Sequence, residues 1–258
     1  MVVFLGLLKG KVAVVTGSGR GIGEAIALGL AEEEASVVVN ALHLEHAEKV
    51  AEKIRKLGVE SLAVQADVSK VEEARMLVRK AVENFGRIDI LVNNAGINSI
   101  TPALEVTEQE WDNLISTNLK GMYFCSQEAA KHMMKQNWGR IINIASATAY
   151  LPFPNNSLYS ISKAAVAMLT KALAIEWAPY NILVNAIAPG WFLTDMVKWG
   201  ISKGYLDEQA LLRRIPAHRF GDLKELARVA VFLSLDEITY ITGQMIAVDG
   251  GYTSYGFL

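Results

Sequence analysis

Tyr159 and Lys163 are the pair of residues whose types and spacing most directly suggest chemistry. They stand four positions apart, so both would project from one face of a helix. A tyrosine phenol has an ordinary pKa of about 10, and an ammonium one helical turn away favours the phenolate. Lowering that pKa to about 7 requires roughly 4 kcal/mol, which one charge at about 4 Å supplies at an effective dielectric constant near 20. The pair therefore indicates a tyrosine that exchanges a proton with a substrate.

Two further polar residues could serve the same chemistry. Ser146 follows an apolar, strand-like segment and lies 13 residues before Tyr159, so its hydroxyl could polarise a substrate carbonyl. Asn118 falls inside a predicted helix, where asparagine is intrinsically unfavourable. We therefore expect Asn118 to have a functional role at this position, such as binding a water molecule at the site.

A glycine-rich turn joins the first predicted strand to the first predicted helix. Gly17 would permit the tight turn, Gly21 a close approach of the backbone to a pyrophosphate, and Gly23 close packing of the helix on the strand. The N–H groups at the helix start would then hold the phosphates. Gly19 also forms a Gly-x-Gly pair with Gly17, so the glycines alone leave the variant of the motif open. The predicted dinucleotide contacts are Gly17, Ser18, Gly19, Arg20, Gly21, Ile22 and Gly23.

The end of the second predicted strand bears on the choice between NAD(H) and NADP(H). An Asp or Glu there would bind the ribose 2′-hydroxyl and repel a 2′-phosphate, but the strand end, Val39-Asn40-Ala41-Leu42-His43, contains neither residue. Arg20 and His43 could instead meet a phosphate. NADP(H) is therefore favoured over NAD(H), and Asn40 could contact either cofactor. His43 and His46 have no evident third partner for a metal, so no metal site is predicted.

The ends of the third and fourth predicted strands supply further candidate contacts. Asp67, followed by Val68, could bind the adenine amino group or simply cap the next helix. Asn94, Ala95 and Gly96 follow the fourth strand, where small residues would let a flat ring or a ribose lie against the sheet edge. We therefore include all five residues in the predicted cofactor site.

The elements that must position these residues alternate along the chain. Nearly continuous apolar runs, typical of strands buried on both faces, occupy 12–15, 36–39, 61–64, 88–92, 140–144, 182–186 and 244–248. Helical patterns lie at 22–34, 43–57, 70–85, 108–136, 157–178 and 222–235. Ser69 with Glu72, and Thr107 with Glu110, form potential capping boxes. The alternation predicts a single domain over residues 1–258, an α/β fold built on a doubly wound parallel sheet.

One long segment, 189–221, contains no predicted strand. Connections of this length inside a compact domain are usually functional, and this one follows a strand's carboxyl end, where open α/β sheets bind ligands. We expect it to form a lid over the substrate rather than a second domain. The alternative is a surface excursion with its own small helices.

Composition limits the functional classes. Hydrophobic residues make up 52% of the chain and the net charge is −2, which excludes intrinsic disorder and gives no basic excess for nucleic acid. The single cysteine, Cys125, excludes an intrachain disulfide.

No stretch approaches the roughly 20 apolar residues of a membrane span, and Met1–Leu8 is too short for a signal peptide. We therefore expect a cytoplasmic protein without nucleic-acid or membrane partners. A mean hydropathy of +0.24 suits a large parallel sheet or subunit interfaces.

Taken in order, these motifs resemble those of the short-chain dehydrogenase/reductase family. The resemblance covers about residues 10 to 251 and rests on Thr16-Gly17-x-x-x-Gly21-x-Gly23, Asp67-Val68, Asn93-Asn94-Ala95-Gly96, Asn118, Ser146, Tyr159-x-x-x-Lys163 and Pro189-Gly190. It implies a Rossmann-like sheet of seven strands with helices on both faces. It also implies a homotetramer or homodimer, since members usually assemble in these ways.

The resemblance assigns roles to individual residues. Asn118, Ser146, Tyr159 and Lys163 would form a catalytic tetrad, in which Lys163 also binds the nicotinamide ribose and Asn118 holds a water in a proton relay. Hydride would pass between nicotinamide C4 and a carbonyl carbon while Tyr159 exchanges the proton on the oxygen and Ser146 steadies it. Further cofactor contacts would come from Tyr159, Lys163, Pro189, Gly190, Phe192 and Thr194.

Two substrate classes compete. The 3-oxoacyl-carrier-protein reductases of this family typically carry arginines where this chain has Asn137 and Tyr180, which argues against docking of an acidic carrier. Residues 176–182, 185–192 and, more loosely, 213–221 are similar to gluconate 5-dehydrogenase-like members, which favours a small polyol, sugar acid or ketone. A non-catalytic dinucleotide sensor is a third alternative, although the intact tetrad argues against it. Candidate pocket residues, which could also serve packing, are Asn98, Thr148, Asn156, Trp191, Met196 and Trp199.

Overall fold

The computed structural model describes residues 6–256, without the side chain of Met196. The first five residues of the Met1–Leu8 segment therefore lie outside the described residues. Seven strands run parallel in one sheet of order β3-β2-β1-β4-β5-β6-β7, which confirms the predicted sheet. They are β1 (Val12–Val15), β2 (Ser36–Ala41), β3 (Ser61–Gln65), β4 (Ile90–Asn93), β5 (Gly139–Ile144), β6 (Ile182–Pro189) and β7 (Met245–Val248).

Helices cover both faces of the sheet. Those of the described chain are α1 (Gly21–Glu32), α2 (Leu44–Arg55), α3 (Val71–Phe85), α4 (Glu108–Ile115), α5 (Met122–Gln136), α6 (Ser157–Trp177), α7 (Asp195–Ser202), α8 (Glu208–Arg214) and α9 (Leu223–Ser234). Successive strand residues point to opposite faces, so Ala13 and Val15 pack with α1, α2 and α9, whereas Val12 and Val14 pack with α3, α5 and α6. This two-sided burial is why the strands read as continuous apolar runs.

The helix predicted over 108–136 is interrupted. A π-helical turn, Ser116–Gly121, separates α4 from α5, and Asn118 is fully buried within it. Gly121 lies so close to the Val68 carbonyl that a Cβ at this position would collide with it. The turn therefore brings Asn118 against the sheet, and π-helical turns are concentrated at functional sites.

The two predicted capping boxes have different outcomes. The prediction at Ser69 is wrong: α3 begins after Lys70, which makes no side-chain cap, and the Ser69 hydroxyl instead donates to Asp67 Oδ1 at 2.7 Å. At α4, the Thr107 hydroxyl accepts the Glu110 N–H at 3.2 Å, as predicted. The Glu110 carboxylate accepts hydroxyl hydrogen bonds from the loop after β4, so it anchors that loop to α4.

Helix α6 corrects one expectation from composition. The segment Ser157–Tyr180 is long and apolar enough to cross a membrane, with a mean hydropathy of 1.3. In the fold it is a core helix, because Val166, Leu173 and Trp177 are buried in the clusters that pack on the sheet. A helix that is apolar on most of its faces is typical of such a central position.

The segment after β6 forms short helices rather than strands. Between Pro189 and Gly221 the described residues contain α7, α8 and a single parallel bridge that pairs Phe192 with Gly221. Phe192 is 3% exposed and belongs to the main core cluster. Both ends of the segment are therefore tied to each other and to the body of the fold.

Candidate active site

Lys163 is held at the carboxyl end of β5. Its Nζ donates a hydrogen bond of 2.8 Å to the carbonyl oxygen of Ile144, the last residue of that strand, and only 3% of the residue is exposed. Burial lowers the pKa of Lys163 to about 8. The Nζ atom lies 5.6 Å from the centroid of the Tyr159 ring, which confirms that the two residues share one face of α6.

The pKa of Tyr159 is shifted in the direction opposite to the one that the sequence predicts. Burial raises the pKa of Tyr159, and its hydrogen bond with Ser146 opposes that effect without overcoming it. A lowered pKa, expected from the Lys163 ammonium, is therefore wrong for the protein without its cofactor, because the loss of hydration on burial outweighs the hydrogen bond with Ser146. Ser146 also accepts the N–H of Thr148 at 3.2 Å, which fixes the hydroxyl beside the phenol.

Asn118 uses its carboxamide to join three segments. Its Oδ1 accepts the N–H of Ile97 at 2.8 Å, and its Nδ2 donates to the Ile97 carbonyl at 2.9 Å and to Ser162 Oγ at 3.1 Å. The Ser162 hydroxyl donates in turn to the Tyr159 carbonyl at 2.7 Å. Ser162 was not predicted as a site residue, although its place between Tyr159 and Lys163 on α6 was an available signal.

Gly96 leaves a cradle beside these groups. A Cβ at this position would lie 3.3 Å from Asn118 Oδ1 and 3.6 Å from Lys163 Nζ. Any larger side chain would fill the space in front of the lysine. The residues present therefore fit a flat ring or a ribose at this point, as expected for the small residues after β4.

The glycine turn has the predicted geometry. Gly17 has φ +61°, in the left-handed region that favours glycine. A Cβ on Gly23 would lie 2.6 Å from the Gly17 carbonyl oxygen, so α1 can begin this close to the turn only with glycine there. Asn94 donates its amide hydrogens to the carbonyls of Thr16 and Gly17, each at 2.9 Å. Thr16 Oγ1 accepts the N–H groups of Asn94 and Ala95, a role that the sequence did not indicate.

Asn40 also supports this turn. Its Oδ1 accepts the Gly17 N–H at 3.1 Å, and its Nδ2 donates to the carbonyls of Val64 and Ala66 at 3.2 and 3.1 Å. The residue is 1% exposed. Both of its amide hydrogens are therefore committed to the protein, which leaves none for a ribose hydroxyl. Strand β2 continues for one residue, to Ala41.

An open cleft of about 490 Å³ lies beside the ends of β2 and β3. Its lining residues are Leu42, His43, Gln65, Asp67, Lys70 and Glu73. Asp67 Oδ1 accepts the N–H and hydroxyl of Ser69 at 3.0 and 2.7 Å, while the neighbouring Val68 is buried. Asp67 thus orders the turn before α3 and borders the cleft, but it does not cap the helix, because the N-cap residue of α3 is Lys70. Its contact with adenine stays a prediction.

The four candidate cofactor residues at and after the end of β6 have different surroundings. Pro189 is the last residue of β6, and the Gly190 N–H donates to the Val248 carbonyl at 3.0 Å. Phe192 is buried against Gly221. Thr194 caps α7 by accepting the Val197 N–H at 3.4 Å. Their contacts with a cofactor stay predictions.

Among the candidate pocket residues, Asn98 and Asn156 are brought together. Asn156 is 4% exposed, and its Nδ2 donates to Asn98 Oδ1 at 3.0 Å and to the Ser99 carbonyl at 2.6 Å. Thr101 adds a bond from its N–H to the Asn155 carbonyl at 2.7 Å. These contacts hold the loop after β4 against the start of α6, three residues before Tyr159.

The other candidate pocket residues do not form one cluster. Thr148 is buried, and its Oγ1 has no hydrogen-bond partner within the described chain. Trp191 stacks on Phe153 at 5.5 Å in a separate aromatic cluster. Trp199 is 55% exposed and lies against Tyr205. The Met196 side chain lies outside the described part of the structure.

The similarity to known proteins extends over nearly the whole chain. The family profile described as enoyl-(acyl carrier protein) reductase matches residues 17–253. A 3-oxoacyl-[acyl-carrier-protein] reductase of Staphylococcus epidermidis is 44% identical over 242 residues, which covers 93% of this chain and 98% of that protein. The chain belongs to the short-chain dehydrogenase/reductase family.

Two further proteins represent the other substrate class. A 2-dehydro-3-deoxy-D-gluconate 5-dehydrogenase of Escherichia coli (strain K12) is 41% identical over 249 residues, or 95% of this chain and 96% of that protein. The crystal structure of a gluconate 5-dehydrogenase from Burkholderia cenocepacia J2315, in complex with NADP and tartrate, is 36% identical with a TM-score of 0.92. That likeness covers 99% of this chain and 100% of that one.

Membership in the short-chain dehydrogenase/reductase family confirms the predicted enzyme class. The protein is an oxidoreductase that uses a nicotinamide dinucleotide and acts on carbonyl or CH–OH groups of a small molecule. The alternative of a non-catalytic sensor is therefore set aside.

Proposed function

We propose that this short-chain dehydrogenase/reductase uses NADP(H) to interconvert a small polyol or sugar acid with its ketone. The observation that carries the proposal is the convergence of Tyr159, Ser146 and Lys163 at the carboxyl end of β5. The cradle at Gly96 opens directly beside Lys163. Proton exchange with the substrate and binding of the dinucleotide can therefore take place side by side.

The chain's own residues supply the proton chemistry, while bound nicotinamide supplies or accepts the hydride. A raised pKa keeps the Tyr159 phenol protonated at neutral pH, which suits it to donate a proton to a carbonyl oxygen in reduction. Ser146 steadies the same oxygen. Lys163 stabilises the phenolate left after transfer and would hold the nicotinamide ribose, and Asn118 would bind the water of a proton relay.

The proposed cofactor contacts are those expected from the sequence, with one refinement. Asn40 and Asn94 act on the cofactor through the glycine turn that they hold. Preference for NADP(H) is supported by the uncharged residues Ala41 and Leu42 at the end of β2. The remaining proposed contacts are Gly17, Ser18, Gly19, Arg20, Gly21, Ile22, Gly23, Asp67, Val68, Ala95, Gly96, Tyr159, Lys163, Pro189, Gly190, Phe192 and Thr194.

The substrate proposal rests on two positions. Asn137 and Tyr180 are uncharged, and the segments that carry them are joined by a 3.2 Å hydrogen bond from Asn181 Nδ2 to the Asn137 carbonyl. An acidic carrier protein would find no cation at either position. Reduction of a 3-oxoacyl carrier substrate stays the second candidate, because the relative that is 44% identical is named for that activity.

Steady-state turnover on a substrate panel distinguishes the two. We expect activity on gluconate-type and polyol substrates, greater with NADP⁺ than with NAD⁺. Activity confined to an acetoacetyl thioester would favour the second candidate. Tyr159→Phe should lose most turnover while nucleotide binding persists, and unchanged turnover would exclude Tyr159 as the proton donor.

The segment 189–221 is proposed as a lid over the substrate, with candidate contacts at Trp191, Met196 and Trp199. It follows the carboxyl end of β6 and carries an exposed aromatic pair, Trp199 and Tyr205. Limited proteolysis tests this idea, because substrate and cofactor together should protect the segment. Equal cleavage with and without ligands would contradict closure.

We also propose a homotetramer, or a homodimer, in the cytoplasm. Ile161, Met168 and Ile175 are 49%, 65% and 78% exposed on α6. Their seven-residue spacing places them on one side of the helix. An apolar stripe of this kind is stabilised when a second subunit covers it.

A further inference from the structure

Four buried polar side chains lie in the core beneath the candidate active site. Asn93 and Asn143 are opposite each other on the central strands β4 and β5, while Ser126 and Thr170 belong to α5 and α6. Each of the four residues is at most 1% exposed. Asparagine is disfavoured in strands, so its occurrence at both opposed positions needs a physical reason.

These four side chains, the polar network, form one continuous series of hydrogen bonds. Asn93 Nδ2 donates to Ser126 Oγ and to Asn143 Oδ1, each at 2.9 Å. Asn143 Nδ2 donates to Thr170 Oγ1, also at 2.9 Å. At the two ends, each hydroxyl donates at 2.8 Å to the carbonyl four residues earlier on its own helix. The polar network therefore runs from α5 through β4 and β5 to α6.

At the α5 end, the polar network holds the helix that follows the π-helical turn. The carbonyl that accepts the Ser126 hydroxyl is that of Met122, the first residue of α5 and the fourth after Asn118. Through Ser126, this first turn is bound to β4, whose end leads to the cradle at Gly96. The contact therefore helps to set the distance between Asn118 and the cradle.

At the α6 end, two contacts hold the helix on β5. Lys163 Nζ donates to the Ile144 carbonyl. Seven residues further along α6, Thr170 accepts the amide of the preceding strand residue, Asn143. Seven residues are about two helical turns, so both contacts lie on the same side of α6. The contact at Thr170 therefore restricts the height and rotation of the helix, on which the Lys163 bond depends.

We propose that Ser126, Asn143 and Thr170 are positioning residues, which hold α5 and α6 so that the catalytic tetrad is assembled at the carboxyl end of β5. The inference rests on the roles proposed above for the tetrad. Stability alone does not explain the polar network, because Asn93 Oδ1 is buried without a hydrogen-bond partner in the described part of the chain, which destabilises a fold. Hydrogen bonds are directional, and a shift of about 1 Å in reacting groups can slow a reaction about 100-fold.

Two matched serines separate positioning from packing. Ser126 and Ser234 are both fully buried, and each donates at 2.8 Å to the carbonyl four residues earlier on its helix. Ser234 lies on α9, on the other side of the sheet and outside the polar network. The rate of hydride transfer in a single turnover, per folded subunit, should fall about tenfold in Ser126→Ala and stay unchanged in Ser234→Ala.

The α6 end is tested by a second pair of variants. Thr170→Val keeps the shape of the side chain and removes the hydroxyl, so hydride transfer should again fall about tenfold. Thr170→Ser keeps the hydroxyl and should restore most of the rate. Affinity for NADP⁺ should change much less than the rate in every variant, because the glycine turn is not altered. D-gluconate with NADP⁺ and an acetoacetyl thioester with NADPH serve as probes, since the tetrad would act on both.

Amide exchange at Ile97 reports the same placement without turnover. The Ile97 N–H is held by Asn118 Oδ1 at 2.8 Å, and Asn118 Nδ2 is bound to Ser162 of α6. Loosening either helix should therefore release this amide. Exchange should be about tenfold faster in Ser126→Ala and in Thr170→Val, and unaltered in Ser234→Ala.

The outcomes separate this inference from the proposed function. Unchanged hydride transfer or unchanged Ile97 exchange in either Ser126→Ala or Thr170→Val would overturn the inference. Equal losses in Ser126→Ala and Ser234→Ala, or a Thr170→Ser variant as slow as Thr170→Val, would also overturn it. If the unaltered protein acts on neither probe, the proposed function fails and the Ile97 exchange decides alone. If Ser126→Ala does not fold, the two Thr170 variants decide.

Discussion

Replacing Lys163 by methionine should make the protein more stable while removing its activity. Burial lowers the pKa of Lys163 from its ordinary 10.5 to about 8. That difference corresponds to about 3 kcal/mol that the folded protein loses by keeping the ammonium charged at neutral pH. Methionine has a similar shape and needs no hydration, but it loses the hydrogen bond to the Ile144 carbonyl, worth about 1.5–3 kcal/mol because the donor is charged. We expect a net gain of up to about 1.5 kcal/mol in the free energy of unfolding at pH 7.

The gain should depend on pH in a defined direction. Unfolded chains keep the lysine proton up to the ordinary value of 10.5, whereas the folded protein releases it near 8. Between these values the unfolded state binds more protons, so the stability of the unaltered protein rises with pH. The advantage of Lys163→Met should therefore be complete below pH 8 and shrink towards pH 10.5.

Urea unfolding followed by circular dichroism at pH 7, 8, 9 and 10 measures this gap. Subunit concentration must be constant, because assembly adds to the apparent stability. Lys171→Met, at an exposed position of α6, is the matched control and should show no such gap. A variant that is less stable at pH 7, or a gap that is constant with pH, would refute the reasoning.

The same change should abolish most turnover. The Nζ atom lies 5.6 Å from the Tyr159 ring centroid, and a charge at that distance contributes about 3 kcal/mol to a phenolate at an effective dielectric constant of 20. We expect turnover to fall about 100-fold. A fall of less than about threefold would show that the ammonium does not stabilise the phenolate.

Two further substitutions and one labelling experiment test other parts of the fold. Asn156→Ala removes two hydrogen bonds to the loop after β4 and should cost about 1–3 kcal/mol, with faster amide exchange at Ser99; unchanged exchange would contradict an anchoring role. Met168→Glu places a charge in the exposed stripe of α6 and should weaken assembly, measured by light scattering; an unaltered mass would move the interface elsewhere. Burial raises the pKa of the Cys125 thiol to about 12, so iodoacetamide at pH 8 should modify it only in denaturant, and labelling of the folded protein would contradict that burial.

The sheet was the most predictable part of the molecule because its strands are buried on both faces. All seven apolar runs correspond to strands; the boundaries of β1 agree at both ends, and those of the other six differ by one to three residues. The largest difference is at β6, which was predicted to end at Ala186 and continues to Pro189. That extension depends on pairing with β7, where Ala188 lies opposite Ala247 and Pro189 opposite Val248. Because β7 is distant in sequence, the apolar run of β6 alone does not predict this extension.

The features that were missed depend on contacts between distant segments, with one local exception. That exception is the complete capping box at the start of helix α9, formed by Asp222 and Glu225, which local spacing could have revealed. The π-helical turn around Asn118 could not be found in this way, because the Ile97 backbone and the Val68 carbonyl shape it from outside. The direction of the Tyr159 pKa was wrong for the same reason, since burial is a property of the whole fold.

The asparagines explain why the candidate site was easy to locate and harder to interpret. Segments that leave the carboxyl ends of parallel strands are irregular, so their buried N–H and C=O groups need partners. A carboxamide supplies a donor and an acceptor together. Asn40, Asn94, Asn118 and Asn156 each bind backbone groups of such segments. Residue type and position therefore point to the correct edge of the sheet. The hydrogen bonds show which of its residues are bound to the backbone and shape the site, whereas the Tyr159 phenol is bound to the Ser146 hydroxyl beside Lys163.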